Sequence, residues 1–207
     1  MVFKQINRKF VKQVQLYLNR CGCNLVVDGI IGEKTKAELK KYVFNQTKGI
    51  TWVRCDKKLT NTFDDFGVLW VNDEIVEVFP CSTTAGKHYI QNPITYGGVT
   101  GTAIAAAQYV VGSHQFKTSS NWKSLWLGMP YFQQVKPIQI FRDGNKDGNL
   151  DEKVIQKGLF GINFHQAGLG NFIDNWSAGC QVVPKAYWFK VITYFKNSEI
   201  IDFSLQY

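Results

Sequence analysis

No stretch of this chain is both long and apolar. Met1 to Gln15 interleaves cations with apolar residues, so it lacks the continuous apolar run of a secretory signal, and no segment approaches bilayer-spanning length. These absences predict synthesis in the cytoplasm without membrane insertion. Cysteine is scarce and odd in number: Cys21, Cys23, Cys55, Cys81 and Cys180 are widely scattered. That excludes a complete disulfide framework and leaves at least one thiol free. Cys21 and Cys23 form a CxC pair with no second Cys or His pair nearby, which argues against zinc and for two structural thiols. No recognised nucleic-acid module is present and the cations are dispersed, so a nucleic-acid partner is not expected.

What is present suffices for a core. The 207 residues are 45% hydrophobic and 14% aromatic, enough for one or two small domains and incompatible with a disordered chain. A net charge of +8 favours anionic partners, an acidic cell wall among them.

Two periodicities divide the chain. In KFVKQVQLYLNRCG, residues Phe10, Val11, Val14, Leu16, Tyr17 and Leu18 fall around a helical apolar face, and Gly22 suits a stop. The turn-rich NLVVDGIIGEKT follows, with Asp28-Gly29 and Gly32 suited to positive-φ turns, and EKTKAELKKYV resumes helical spacing. Beyond a linker placed at residues 45–51 the period becomes two. FGVLWVNDEIVEVFP alternates on either side of Asn72-Asp73 and reads as a β-hairpin. Residues 102–114, 136–143 and 158–165 read as further strands, and KAYWFKVITYFKN (185–197) as a helix. The predicted fold is α+β, with a small helical domain at 1–47 and a mostly β domain with a C-terminal helix at 52–207.

The segment VKQVQLYLNRCGCNLVVDGIIGEKTKAELKKYV resembles the small three-helix peptidoglycan-binding domain, chiefly through VDGIIGEKT. The last helix departs from that family, carrying Lys40 and Lys41 and lacking its aromatic-Gln ending. The resemblance implies peptidoglycan as a partner and Asp28 and Gly29 as wall-contacting residues. A helical hairpin without a ligand is the plainer alternative.

Near the other end, NWSAGCQVVP sets a small-residue turn directly before Cys180, and a strand-like run ends in His165, fifteen residues earlier. A thiol attacks as thiolate, and a nearby imidazole can take its proton and pass it to a leaving group. Small residues at Ser177, Ala178 and Gly179 leave backbone N–H groups able to face an oxyanion. A buried structural thiol is the alternative. SAGC after a strand-ending His resembles the L,D-transpeptidase catalytic domain, and LWVNDEIVEVFPCSTTAG and ITYGGVTGTAIAAAQYVVGSH are similar to its upstream segments. The likeness covers residues 66–184. It implies that Cys180 is the nucleophile and His165 the general base, with Ser177 and Gly179 shaping the turn and oxyanion site. The family's His before the motif glycine is Ala178 here, and the Arg or Asn that follows its Cys is replaced by Gln181 and Val182. Asn163, Gln166 and Asp174 are candidates to orient His165. Trp176, His114 and Gln181 are candidate substrate contacts, although Trp176 and His114 are equally read as core or structural residues.

DGNKDGNLD (143–151) places Asp143, Asn145, Asp147 and Asp151 at alternate positions, with Gly148 sixth, like the start of an EF-hand loop. The twelfth position is Val154, not Glu, so an acidic hairpin loop competes with a structural calcium site. No cofactor is otherwise required.

Joined, the two resemblances predict a cysteine-dependent peptidoglycan enzyme that forms a thioester acyl-enzyme on a stem-peptide amide. Hydrolysis by a phage or prophage endolysin or virion-associated lysin, released by a pore-forming partner, is the leading expectation. An L,D-transpeptidase making crosslinks, or a non-catalytic wall-binding virion protein, is the alternative.

Overall fold

The computed structural model describes residues 8–95, 98–118 and 129–207. Residues 1–7 of the basic N-terminal stretch and 96–97 of the ITYGGVTG run lie outside the described residues.

Helix α1 (Arg8–Arg20) and helix α2 (Glu33–Tyr42) realise the helical period, and Gly22, at φ 99°, follows the first. Phe10, Val11, Val14, Tyr17 and Leu18 are buried on α1, whereas Leu16 is half exposed at 50% and lies off that face. Between the helices, Asp28 Oδ1 accepts from the N–H of Ile30 at 2.9 Å and from Gln15 Nε2 at 2.7 Å. Gln15 Oε1 in turn accepts the N–H of Gly29 at 2.9 Å. Gly29 sits at φ 79°, and a Cβ there would lie 2.9 Å from the Arg8 carbonyl oxygen. The VDG motif is therefore an internal clamp read by Gln15.

The rest is mostly β. Eight strands form one sheet in the order β10 (Gln181–Val183), β9 (Phe164–Gln166), β6 (Tyr131–Gln134), β5 (Gln108–Lys117), β11 (Ile200–Gln206), β1 (Lys48–Val53), β2 (Asp65–Val71), β3 (Glu74–Cys81). Ser82, just past β3, bridges Val182 of β10, so the two ends of the sheet meet. A second sheet orders β4 (Thr102–Ala105), β7 (Ile138–Asp143) and β8 (Gln156–Gly158). The short helix α3 (Lys87–Gln91) precedes β4, and α4 (Lys185–Ile192) follows β10.

The hairpin over 66–80 forms as its alternation predicts, with Asn72 and Asp73 both at positive φ (53° and 62°). Three other readings differ. The 102–114 run splits between two sheets at 106–107, the 158–165 run pairs only at its ends, with Gly158 closing β8 and Phe164 and His165 in β9, and the last helix ends at Ile192. Residues 45–51 do not make a linker, because β1 begins at Lys48 and runs through the sheet between β11 and β2.

Alternation along β1 and β2 explains that burial. Ile50, Trp52 and Leu69 face a core shared with Phe164, Phe203 and Trp188. Val53, Phe66, Val68 and Trp70 face the opposite way, against Val11, Val14, Leu18 and Leu39 of the helices. The two helices bury only one modest face against each other, and the sheet supplies the remaining cover. The helical segment and the sheet thus share a core across the expected 47/52 boundary.

Candidate active site

Strands β9 and β10 run parallel, with Gln181 beside Phe164 and Val182 beside His165. Cys180 is one step earlier, beside Asn163, whose N–H points at the sulfur from 3.4 Å. Side chains alternate along strands and match across a parallel pair, so Cys180 and His165 share a face, about 4.8 Å apart across the strands and roughly 6.6 Å along them.

The turn before Cys180 is held from three directions. Ser177 is buried, and its Oγ accepts the N–H of Gly179 at 3.0 Å and lies within donating reach of the Cys180 carbonyl (2.7 Å) and the Thr84 carbonyl (3.1 Å). The N–H of Gly86 donates to the Ser177 carbonyl at 2.9 Å. Gly179 adopts φ 129°, and a Cβ there would lie 2.1 Å from the Ala103 carbonyl oxygen, so only glycine lets the turn pass β4. Because its N–H is bound to Ser177, Gly179 shapes the turn but does not offer that N–H to an oxyanion. The N–H groups of Asn163 and of Cys180 itself are the ones directed at the sulfur.

His165 Nδ1 lies 2.8 Å from the carbonyl oxygen of Gln166. A carbonyl only accepts, so Nδ1 carries the proton and Nε2 is left basic. This backbone carbonyl orients the ring. The side chains of the three candidates are used elsewhere: Asn163 Oδ1 accepts the N–H of Gln134 at 2.9 Å, Gln166 Nε2 contacts Met129, and Asp174 is tied to Asn61. Burial pushes the Cys180 thiol up to about 11 against those two N–H groups, and burial lowers His165 against its bond to Gln166. Both groups are neutral at pH 7, which suits a thiol deprotonated as it attacks.

The sulfur ends a cavity of about 100 Å³ lined by Tyr89, Arg142, Phe160, Ile162 and Ala178 among others. Arg142 is anchored in its wall by the Gly101 carbonyl and Gln156 Oε1, both at 2.9 Å, with its guanidinium 5.6 Å over the Phe160 ring. Nothing in IQIFRD marks Arg142 beyond a lone cation ending an apolar strand.

Two expected contacts are corrected. His114 is fully buried, stacked on Phe164 at 3.9 Å between ring centres, and its Nε2 donates to the Ile162 carbonyl at 2.8 Å. It braces the segment behind the cavity and does not line it. Gln181 follows Cys180 and therefore points to the opposite, core side, where it is fully buried. Trp176 packs with Cys180 and Phe63 against Ala167, Ile173 and Val182, its ring where a Gly168 Cβ would stand. Asp28 and Gly29 are engaged in the Gln15 clamp, in the helical segment.

The acidic loop does not converge on a cation. Asp143 is buried and accepts the N–H groups of Lys146 (2.7 Å) and Gly148 (3.1 Å), while Asp147 accepts from Asn149 (2.8 Å) and Asn145 (3.0 Å). Asp151 is exposed, and no group of three or more His, Cys, Asp or Glu suited to a metal occurs among the described residues. Asp143, Asn145 and Asp147 thus accept turn N–H groups at the alternate positions of the loop.

A network without a sequence signal supports the turn. Arg54 is buried and donates to Thr83 Oγ1 and the Thr83 carbonyl, each at 2.8 Å, and to the Ala105 carbonyl at 3.0 Å. Asp65 accepts from Thr83 N (2.9 Å), Thr83 Oγ1 (2.7 Å) and Cys55 N (2.9 Å). Burial pushes the Asp65 carboxyl up, and Arg54 opposes this. Together they hold residues 82–84, against which Ser177 and Val182 are bonded. All five cysteines are free thiols.

No family model matches the chain, and no curated protein matches it. Among solved structures it is similar to an L,D-transpeptidase from Xylanimonas cellulosilytica, at 14% identity over 94% of this chain and 79% of that one, with a TM-score of 0.40. It is also similar to an L,D-transpeptidase from Stackebrandtia nassauensis, at 9% identity over 96% of this chain and 91% of that one, with a TM-score of 0.36.

Proposed function

We propose that this protein is a cysteine-dependent acyl-transfer enzyme acting on a peptidoglycan stem peptide. The observation that carries the chemistry is the His165 Nδ1 bond to the Gln166 carbonyl, on the strand face that Cys180 shares. It leaves Nε2 as the base. As Sγ attacks the amide carbonyl, the thiol proton passes to Nε2, and the C–N bond breaks with that proton delivered to the departing amine. A thioester on Cys180 remains, and water, losing a proton to Nε2, hydrolyses it and restores the thiol. The Cys180 N–H is the donor best placed for the developing oxyanion.

The substrate reading rests on the wall-binding and transpeptidase resemblances of residues 11–43 and 66–184 and on the net charge of +8. Hydrolysis and transfer share this acyl-enzyme and differ only in whether water or a second stem's amine resolves it. Mass spectrometry of soluble products from walls of several stem types, treated with wild-type, Cys180→Ala and His165→Ala protein, tests this. New stem fragments that require both residues are expected. Crosslinked dimers would make the enzyme a transferase, and absence of any Cys180-dependent product would sink the proposal.

A further inference from the structure

A second concavity, of about 520 Å³, lies where α1 meets the catalytic unit. Its size falls within the roughly 300–1,000 Å³ of small-ligand sites. Five chain segments build it: α1, residues 62–64, Pro80, the 170–171 loop and the start of α4. Phe63 and Tyr187 offer aromatic surface, while Gln13, Thr62 and Asn171 offer amide and hydroxyl groups. The lining includes one cation, Lys9, and one anion, Asp64, so the groove is close to neutral despite the basic chain. Asp64 Oδ2 accepts from Thr60 at 2.6 Å, and burial pushes the carboxyl up to about 6. A partly desolvated carboxylate beside aromatic rings and amides suits hydroxyl donors on a flat, partly apolar molecule. A phosphodiester polymer would require clustered cations, which the lining lacks.

The groove is wired to the nucleophile's loop. Thr62 bridges Phe172, the Asn61 carbonyl accepts Ile173 N–H at 3.0 Å, and Asn61 Oδ1 accepts Asp174 N–H at 2.8 Å. Phe63 packs on the apolar cluster of Ala167, Ile173 and Val182, against which Cys180 also packs. One cluster therefore separates the groove from the sulfur.

We propose that this groove is a saccharide subsite seating the uncharged glycan strand of the polymer whose peptide branch reaches Cys180. Wall recognition is then built at the junction of α1 with the sheet, and not at the Asp28–Gly29 turn. The inference rests on the peptidoglycan reading for the identity of the glycan; the amphipathic, near-neutral lining supplies the rest.

The test is calorimetry or co-sedimentation of full-length Cys180→Ala protein with glycan strands enzymatically freed of stem peptides and capped as amides at the lactyl carboxylates this exposes, so that the probe is uncharged. Saturable binding is expected, weakened at least tenfold by Tyr187→Ala and by the paired exposed-site change Gln13→Ala with Asn171→Ala, with melting curves confirming folded protein. No binding to stripped glycan would overturn the proposal. So would binding that survives both variants, or binding only to walls that retain anionic phosphodiester polymers. Stem-fragment release by the wild-type protein is measured separately. Glycan binding without that release would refute the proposed chemistry and leave the subsite standing, whereas release without glycan binding would do the reverse.

Discussion

Replacing Ser177 with alanine removes one oxygen from the centre of the turn that presents Cys180. Its Oγ satisfies the N–H of Gly179, itself buried, and reaches the Cys180 and Thr84 carbonyls at 2.7 and 3.1 Å. The variant leaves a buried donor without a partner, which costs about 1–3 kcal/mol. For a chain of this length that lowers Tm by roughly 3–10 °C. The larger effect falls on turnover, because a shift of about 1 Å in a reacting atom costs on the order of a hundredfold in rate. Circular-dichroism melts and Cys180-dependent release of stem fragments measure the two effects. Ser177→Thr separates hydrogen bonding from packing: it keeps the hydroxyl but adds a methyl to a site with 1% exposure, at a cost of about 1–3 kcal/mol. We expect Thr to melt no higher than Ala yet to retain more activity. An Ala variant that melts within about 1 °C of wild type, with turnover intact, would refute the account of the turn.

Three further outcomes are expected. With the Cys180 thiol raised to about 11 and His165 lowered, kcat/KM should rise through a pKa below the ordinary 6.5 of histidine and then hold level above neutrality; a fall just above pH 7, as a thiolate–imidazolium pair losing its imidazolium proton gives, would contradict this. His114 is lowered from 6.5 to about 3, so between those values the unfolded chain binds a proton that the folded one refuses, and stability falls as pH drops by about 1.4 kcal/mol per unit. Urea unfolding at pH 7.5 and 5 should show about 2 kcal/mol of this loss in wild type beyond that in His114→Phe, and identical losses would remove His114 as the cause. Gln15→Ala unpairs the buried Gly29 N–H and leaves Asp28 Oδ1 with the Ile30 N–H but without Gln15, and should cost about 1–3 kcal/mol, seen as faster hydrogen exchange in α1 and α2; unchanged exchange would mean that the clamp holds nothing.

Local order was legible where a turn signal or an exposed face marked an element. The β2–β3 hairpin could be read because its alternation flanks a dipeptide that tolerates positive φ, and α1 because Phe10, Val11, Val14, Tyr17 and Leu18 recur at helical spacing. Strand β1 reads as a linker in sequence because KGITWV is buried on both faces and shows no polar alternation. Its parallel partner β11 lies about 150 residues away, with Ile50 beside Phe203, a pairing that no local pattern announces. The helical segment has a related limit: periodicity reports that α1 has an apolar face but not that Phe66, Val68 and Trp70 cover it.

The site divides along the same line. The proposed reagents, Cys180 and His165, and the glycine required before the thiol were marked by residue type and by a small-residue turn, because nucleophiles and positive-φ positions admit few alternatives. Which neighbours face them was decided only by register. Pairing Val182 with His165 sends Gln181 into the core, and the β5–β11 pairing that sets Ile201 beside His114 accompanies a fully buried His114. The Gln166 carbonyl, a backbone group that every residue carries, became the orienter of the imidazole only when β9 was laid down. The chain itself determined its candidate reagents and its local turns, because these depend on side-chain chemistry and backbone freedom at single positions. The tertiary structure decided the base's tautomer, the cavity and the groove at α1, because each is made by segments far apart in sequence whose contact only folding brings about.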